Sequence, residues 1–274
     1  MSDAPPLLTP KSYAEDSVFK PEHLIREARR QKGLGEANVP SICILDPDGD
    51  IVRSLTNTGA GQLDANWACY HTALYHFTLG ENRLGIVGNA VGASFAVLVA
   101  EELFACGCEL LVSVTSAGQI LPLADPPYFV LIEKALRDEG TSYHYLPPAM
   151  YSHILPELRP LLDQVAARKS TSLYRGATWT TDAPFRETAS AIERCRQISI
   201  AGVEMEAAAL YAFSQAKRKA VICLAHVTNT MAQRDGDFEK GAGNGSTQAL
   251  EIVDFVVQAW LDQQPTNRGQ PAQS

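Results

Sequence analysis

The sequence predicts an α/β protein with a largely parallel or mixed central sheet. Two observations predict it. Short apolar runs rich in β-branched residues alternate with longer stretches of helical spacing. No polar linker and no internal repeat divides the 274 residues, somewhat more than the roughly 100–200 typical of one domain. A single domain over 18–262 is expected. Flexible termini are expected at 1–17, which holds Pro5, Pro6 and Pro10, and at 263–274, rich in Gln, Pro and Gly.

The elements follow in order. Pro21–Gln31 has helical spacing, with Leu24 and Ala28 among charged neighbours, and Gly33 and Gly35 stop it. Ser41–Leu45 and Leu84–Gly88 read as buried strands. Ala93–Cys106 reads as a long apolar helix ended by Gly107. Leu110–Thr115 and Phe129–Ile132 read as strands, Pro156–Arg168 as a helix, and Leu173–Thr181 as a strand. Val203–Lys217 reads as an Ala-rich helix, Ala220–Val227 as a strand, and Thr247–Leu261 as a last amphipathic helix. In such sheets ligands bind beyond the C-terminal strand ends, so the loops that follow strands carry the information.

Composition narrows the function. Thirty-one acids against 23 bases give a net charge of −8, which argues against a phosphate-backbone footprint and for a small ligand. No run of about 18 apolar residues predicts a membrane span. The polar, Pro-broken Met1–Lys20 does not read as a secretory signal. Six scattered cysteines, of which only Cys106 and Cys108 are near neighbours, give neither a metal spacing nor a disulfide framework. They fit a reducing cytoplasm, and no metal is expected.

Six loops can carry chemistry, and each also has a plain structural reading. Asp46-Pro47-Asp48-Gly49-Asp50 with Arg53 is either an anion loop or an ordinary Pro-Asp-Gly turn. Gly88-Asn89-Ala90-Val91-Gly92 has two of the three glycines of a dinucleotide fingerprint, so packing explains it better than a nicotinamide cofactor. Ser113-Val114-Thr115-Ser116-Ala117-Gly118 can wrap an oxygen-rich ligand or form a turn. Arg137–Ser142 is a charged turn, and His144 between Tyr143 and Tyr145 reads as structural. Thr181-Asp182-Ala183-Pro184-Phe185-Arg186 can stack on a planar base or end a strand. Val203-Glu204-Met205-Glu206-Ala207-Ala208 puts acids at a helix start, where the dipole favours them. A carboxylate there also suits a ribose cis-diol. Glu204 and Glu206 lie two apart and share no helix face, so they do not read as a catalytic pair.

In this order, from about residue 18 to 262, the motifs resemble the purine nucleoside phosphorylase/uridine phosphorylase family, the nucleoside phosphorylase I superfamily. Val203–Ala208 is the most specific piece. The resemblance implies a three-layer fold with a twisted, barrel-like mixed sheet flanked by helices. It implies homo-oligomers, dimers or hexamers, and transfer of a pentosyl group from a nucleoside to inorganic phosphate, with no other cofactor. Gly49, Arg53 and Ser116 would hold phosphate. Met205 and Glu206 would hold the ribose, and His23 would reach a neighbouring subunit's 5′-hydroxyl. Phe185, Arg186 and Asn229 would recognise the base, so Arg53, Glu206 and Asn229 would form the catalytic set.

Departures qualify this. The family's strand arginine is Ser113 here, and the arginine expected near Ala68–Tyr70 is absent, with Cys69 in its place. Arg83 or Arg175 would have to substitute, or phosphate is not the nucleophile. Asn229 replaces the acid of purine enzymes, and Thr230 replaces the arginine of uridine enzymes. The leading expectation is a uridine phosphorylase-like nucleoside phosphorylase in the cytoplasm, acting on a nucleoside and phosphate without nucleic-acid or membrane partners. The alternatives are a nucleosidase using water and a non-catalytic nucleoside-binding protein.

Overall fold

In the computed structural model, which describes residues 6–9, 11–168, 172–231 and 235–264, the apolar runs form one ten-stranded mixed sheet. The first half of the chain gives α1 (Pro21–Lys32), β1 (Ile42–Asp46), α2 (Asp50–Asn57), β2 (Gln62–Leu63), β3 (Leu74–Leu79), β4 (Asn82–Gly88), α3 (Ala93–Ala105), β5 (Leu110–Gln119) and β6 (Tyr128–Asp138). The second half gives α4 (Ser142–Tyr145), β7 (Tyr151–His153), α5 (Arg159–Ala167), β8 (Leu173–Thr181), α6 (Ala189–Gln197), β9 (Ile200–Glu204), α7 (Ala207–Lys217), β10 (Ala220–Asn229) and α8 (Ser246–Gln263). The tail expected over 263–274 lies outside the described residues from 265 onward, as do positions 1–5 and 10 of the N-terminal arm.

The strand order is β10–β6–β8–β9–β5–β1–β4–β3–β2, with β7 beside β6, and β10 also pairs with β5. That extra pairing closes β10, β6, β8, β9 and β5 into a ring. The strands β1, β4, β3 and β2 extend from it as an open wing. The barrel-like sheet is thus a five-stranded barrel with a flap. β5 is the shared strand: it runs parallel to β1 and β10 and meets β9 antiparallel at its end. Leu110–Thr115 is buried throughout, as expected where helices cover both faces of a parallel strand. On the outside, α3 packs against α7, and α8 packs against α5 and α2.

Several boundaries differ from the sequence reading. β5 continues through Ser116, Ala117 and Gly118, because β10 and β9 extend its ladder past Thr115. Ser116 is therefore a strand residue, not a turn residue. The helix expected over Val203–Lys217 is a strand followed by a helix, β9 and then α7. β6 runs on to Asp138, into the segment read as a charged turn. The helix expected over Pro156–Arg168 opens with a 3-10 turn, Pro156–Leu158. The sequence reading missed α2, β2, β3, α4, β7 and α6. Of these, α2 lay hidden in the loop that its first residues share with the Asp-Pro-Asp-Gly turn.

Candidate active site

Four elements meet at the C-terminal end of β5. The first is the exit of β1. The Asp46 carbonyl accepts the Gly49 N–H at 2.9 Å, and its carboxylate accepts the Val52 N–H at 2.9 Å in the first turn of α2. Gly49 makes the turn possible at φ +74°, and a Cβ there would lie 2.4 Å from Asn89 Oδ1. Burial lifts the Asp46 carboxyl to about 6, with Asp48 and Asp50 adding repulsion.

The second element is β5 itself. Ser116, which the resemblance assigns to phosphate, donates its backbone N–H to Asp48 Oδ2 at 2.9 Å. Asp48 is thus a carboxylate seated where an anion was expected. Asp50 binds both Arg53 and Lys240, and Lys240 Nζ lies 3.9 Å from Asp48.

The third is the start of α7. Glu206 is 1% exposed. Its Oε1 accepts the Gly92 N–H at 2.7 Å, and its Oε2 accepts the Thr115 hydroxyl at 2.7 Å and the Met205 N–H at 3.3 Å. Burial nonetheless pushes its carboxyl up to about 8, helped by the neighbouring Glu204. Glu204 has a different task. It accepts the Thr178 and Thr180 hydroxyls and the N–H groups of Glu206 and Ala207, so it ties β8 to the helix start. Its carboxyl is also raised by burial.

The fourth is β10. His226 pairs in register with Ser116 on one side and Phe129 on the other. Its ring stacks on Phe129 at 4.3 Å and 3°. A cavity of about 20 Å³ lies among Asp46, Asp48, Asp50, Thr115, Ser116 and His226.

The structure therefore gathers Gly49, Arg53, Ser116, Met205 and Glu206 at one place. Arg53 folds back beside Gly49, where a Cβ would lie 2.9 Å from its Nη1, but its charge is engaged by Asp50. Asn229 is buried further along β10, opposite Gly118, with its amide used by Thr228 and Met231. Phe185 and Arg186 stand exposed on a 3-10 turn, and His23 is exposed on α1. None of these three makes a hydrogen bond to the Glu206 cluster among the described residues. Neither proposed substitute arginine reaches the site: Arg175 pairs with Glu133 and Asp163, and Arg83 is exposed on β4 opposite Thr78. Ser113 is buried with no partner for its hydroxyl, and Cys69 is buried. Sequence reasoning named Thr115 only within the Ser113–Gly118 segment and Gly92 only as a packing glycine, and gave His226 and Lys240 no role. The three acids of Asp46–Asp50 were visible in the loop, but attention went to its glycine and arginine. Among the described residues no group of His, Cys, Asp and Glu could hold a metal, and no helix is long and apolar enough to cross a membrane.

Comparison with known proteins bears on the fold. An uncharacterized protein of Acanthamoeba polyphaga mimivirus is 28% identical over 133 residues, 48% of this chain, and the match spans about half (51%) of that relative's length. A uridine phosphorylase from Vibrio fischeri superposes with a TM-score of 0.68 at 19% identity, over 85% of this chain and 96% of that one. The futalosine hydrolase of Helicobacter pylori does so at 0.64 and 14%, over 80% and 98%. The 5′-methylthioadenosine/S-adenosyl homocysteine nucleosidase of Campylobacter jejuni does so at 0.64 and 16%, over 81% and 99%. At such identities the likeness is one of fold. The family model for the phosphorylase superfamily matches residues 41–258, and the chain belongs to that superfamily.

Proposed function

We propose that the protein is an enzyme that cleaves the N-glycosidic bond of a nucleoside, with water as the attacking group. One observation carries the choice of water: Asp48 occupies the Ser116 N–H, and three carboxylates line the adjoining cavity. A phosphate mono- or dianion brought there would face Asp46, Asp48 and Asp50, with Arg53 and Lys240 already engaged.

In this reading Glu206 and Met205 hold the ribose, and Glu206 bonds its 2′- and 3′-hydroxyls. Positive charge develops on the ribose as the C1′–N bond stretches. Water adds to C1′ and one of its protons passes to Asp48, while the bonding electron pair leaves with the base nitrogen, which takes a proton from solvent as Asp48 returns its own to solvent. Most of the acceleration comes from placing water, ribose and Asp48 together. Asn229 and Met231 lie beside Gly118, and in this reading they would contact the base.

Phosphorolysis is the second reading. Arg53 and Lys240 meet on Asp50, and a phosphate could draw both away from it. A nucleoside panel that includes uridine, inosine and adenosine, assayed with and without phosphate, decides between them. Hydrolysis gives free ribose at a rate indifferent to phosphate. Ribose 1-phosphate formed only with phosphate restores the phosphorylase reading. No base release in either buffer leaves a binding protein.

A further inference from the structure

A cavity of about 580 Å³ opens at the end of the molecule away from Glu206. It falls within the roughly 300–1,000 Å³ typical of ligand sites. Two helices separate it from the candidate active site. α3 and α7 are capped by Gly92 and Glu206, which bond to each other there, and their C-terminal halves supply Phe104, Phe213 and Lys217 to the cavity. The 13 residues of α3 put about 20 Å between the two places. The floor is aromatic: Phe213 packs against Phe104 at 5.7 Å and against Tyr145 at 5.9 Å. The arm before α1 lines the cavity with Phe19, which is 70% exposed.

Charge decides what fits there. Lys11, Lys20, Lys217 and Lys219 line the cavity, and two of them are committed. Lys20 pairs with Asp16 at 2.8 Å, and Lys11 donates to the carbonyls of Pro6 and Leu7. Lys217 and Lys219 form no ion pair among the described residues, and Lys219 Nζ lies over the Phe104 ring at 5.5 Å. Of the lining acids, Asp16 is held by Lys20 and Glu101 accepts the Tyr145 hydroxyl, while Glu15 and Glu22 face solvent. Four acids against four lysines leave no net charge to hold a dianion, but two uncommitted ammonium groups suit one carboxylate. We propose that this cavity is a second ligand site, which takes a planar aromatic monocarboxylate. Its ring lies between Phe19 and the floor of Phe104 and Tyr145, and its carboxylate meets Lys217 and Lys219. The site stands apart from the cleavage reaction and does not depend on which nucleophile attacks.

The test is calorimetric titration of the full chain with three matched probes: indole-3-carboxylate, its neutral carboxamide and indoxyl phosphate. The carboxylate should bind with a Kd below about 1 mM, a tightness within reach of a ligand of that size. The carboxamide should bind about tenfold or more weakly, because it forgoes the charged hydrogen bonds. In a Lys217→Gln, Lys219→Gln double variant the carboxylate should fall to the carboxamide's level, with the carboxamide itself unchanged. Phe19→Ala, a change on the exposed arm, should weaken both probes alike. Equal affinity for carboxylate and carboxamide in wild type overturns the proposal, as does no binding of either or a double variant that binds like wild type. Tighter binding of indoxyl phosphate reassigns the cavity to phosphate esters and overturns the carboxylate. Affinity that weakens as protein concentration rises means that a second copy covers the cavity, which also overturns it. The wild-type comparison of the three probes decides the matter even if the double variant does not fold. None of these outcomes bears on base release, which the nucleoside panel decides separately.

Discussion

The Glu204 carboxylate accepts the backbone N–H of Glu206 at 2.7 Å, so one acid fixes the backbone from which the other reaches across the fold to Gly92. The two carboxylates should therefore fail in different ways when removed. Glu204→Ala orphans two threonine hydroxyls and two N–H groups inside the protein. A loss of about 3 kcal/mol or more is expected in urea unfolding. Glu206→Ala should cost less stability. It removes two hydrogen bonds to the ribose worth about 1.5–3 kcal/mol each, so kcat/KM should fall about a hundredfold or more. Equal stability losses in the two variants would contradict this division.

Stability should fall as pH rises from about 6.5 to 8. The folded Glu206 carboxyl titrates near 8, far above its unfolded value, so the folded state holds a proton that the unfolded state has released. The contribution is complete below the unfolded carboxylate range and is lost as pH passes the folded value. Its slope reaches about 1.4 kcal/mol per pH unit at most. His226 acts oppositely between about 4 and 6.5, where only the unfolded ring is protonated, and there it offsets part of the same trend from Asp46 and Glu206. Urea midpoints measured across pH 5 to 8.5 test this, and Glu206→Gln should flatten the upper limb.

Asp48→Asn separates the two nucleophiles. It keeps the side chain's shape and an oxygen for the Ser116 N–H, but removes the base and one negative charge. Hydrolysis should fall about 10²–10⁴-fold, the usual contribution of a general base. If phosphate instead attacks, losing a charge beside its seat should lower the KM for phosphate, and steady-state assays in graded phosphate show which occurs.

Ser113→Ala should stabilise the protein. Its hydroxyl is buried on β5 without a partner, and removing it deletes an unsatisfied group while leaving the strand's packing in place. A gain of about 1 kcal/mol is expected in urea unfolding, with unchanged cleavage. A loss would mean that the hydroxyl is in use.

Gly118→Ala should impair base binding. The new Cβ would lie 2.6 Å from Met231 Sδ. KM for the nucleoside should rise several-fold, and Met231→Ala in the same chain should restore it if the thioether is the only obstruction.

The sequence was informative where chemistry and local pattern coincide. Leu173–Thr181 could be read directly because it is rich in β-branched and aromatic residues, and Glu206 because its motif is short and continuous. What stayed hidden depends on distant pairing. Gly92 read as a packing glycine, since nothing near it in sequence announces a carboxylate 114 positions later. His226 sits in an apolar run whose composition conceals a polar ring, and only the register with Ser116 and Phe129 gives it a place. Arg53 was located correctly in the chain, but its engagement by Asp50 is a side-chain contact that spacing does not reveal.

The hydrogen bond from Ser246 to the Asp50 carbonyl spans 196 residues, and that from Ser116 to Asp48 spans 68. The site is therefore a late product of folding. A chain still being synthesised can complete β1, α2, β4 and β5, yet it lacks Glu206, His226 and the cover provided by Gly245. Truncation after β5 should leave fragments that retain the wing of the sheet but lack Glu206, His226 and Gly245.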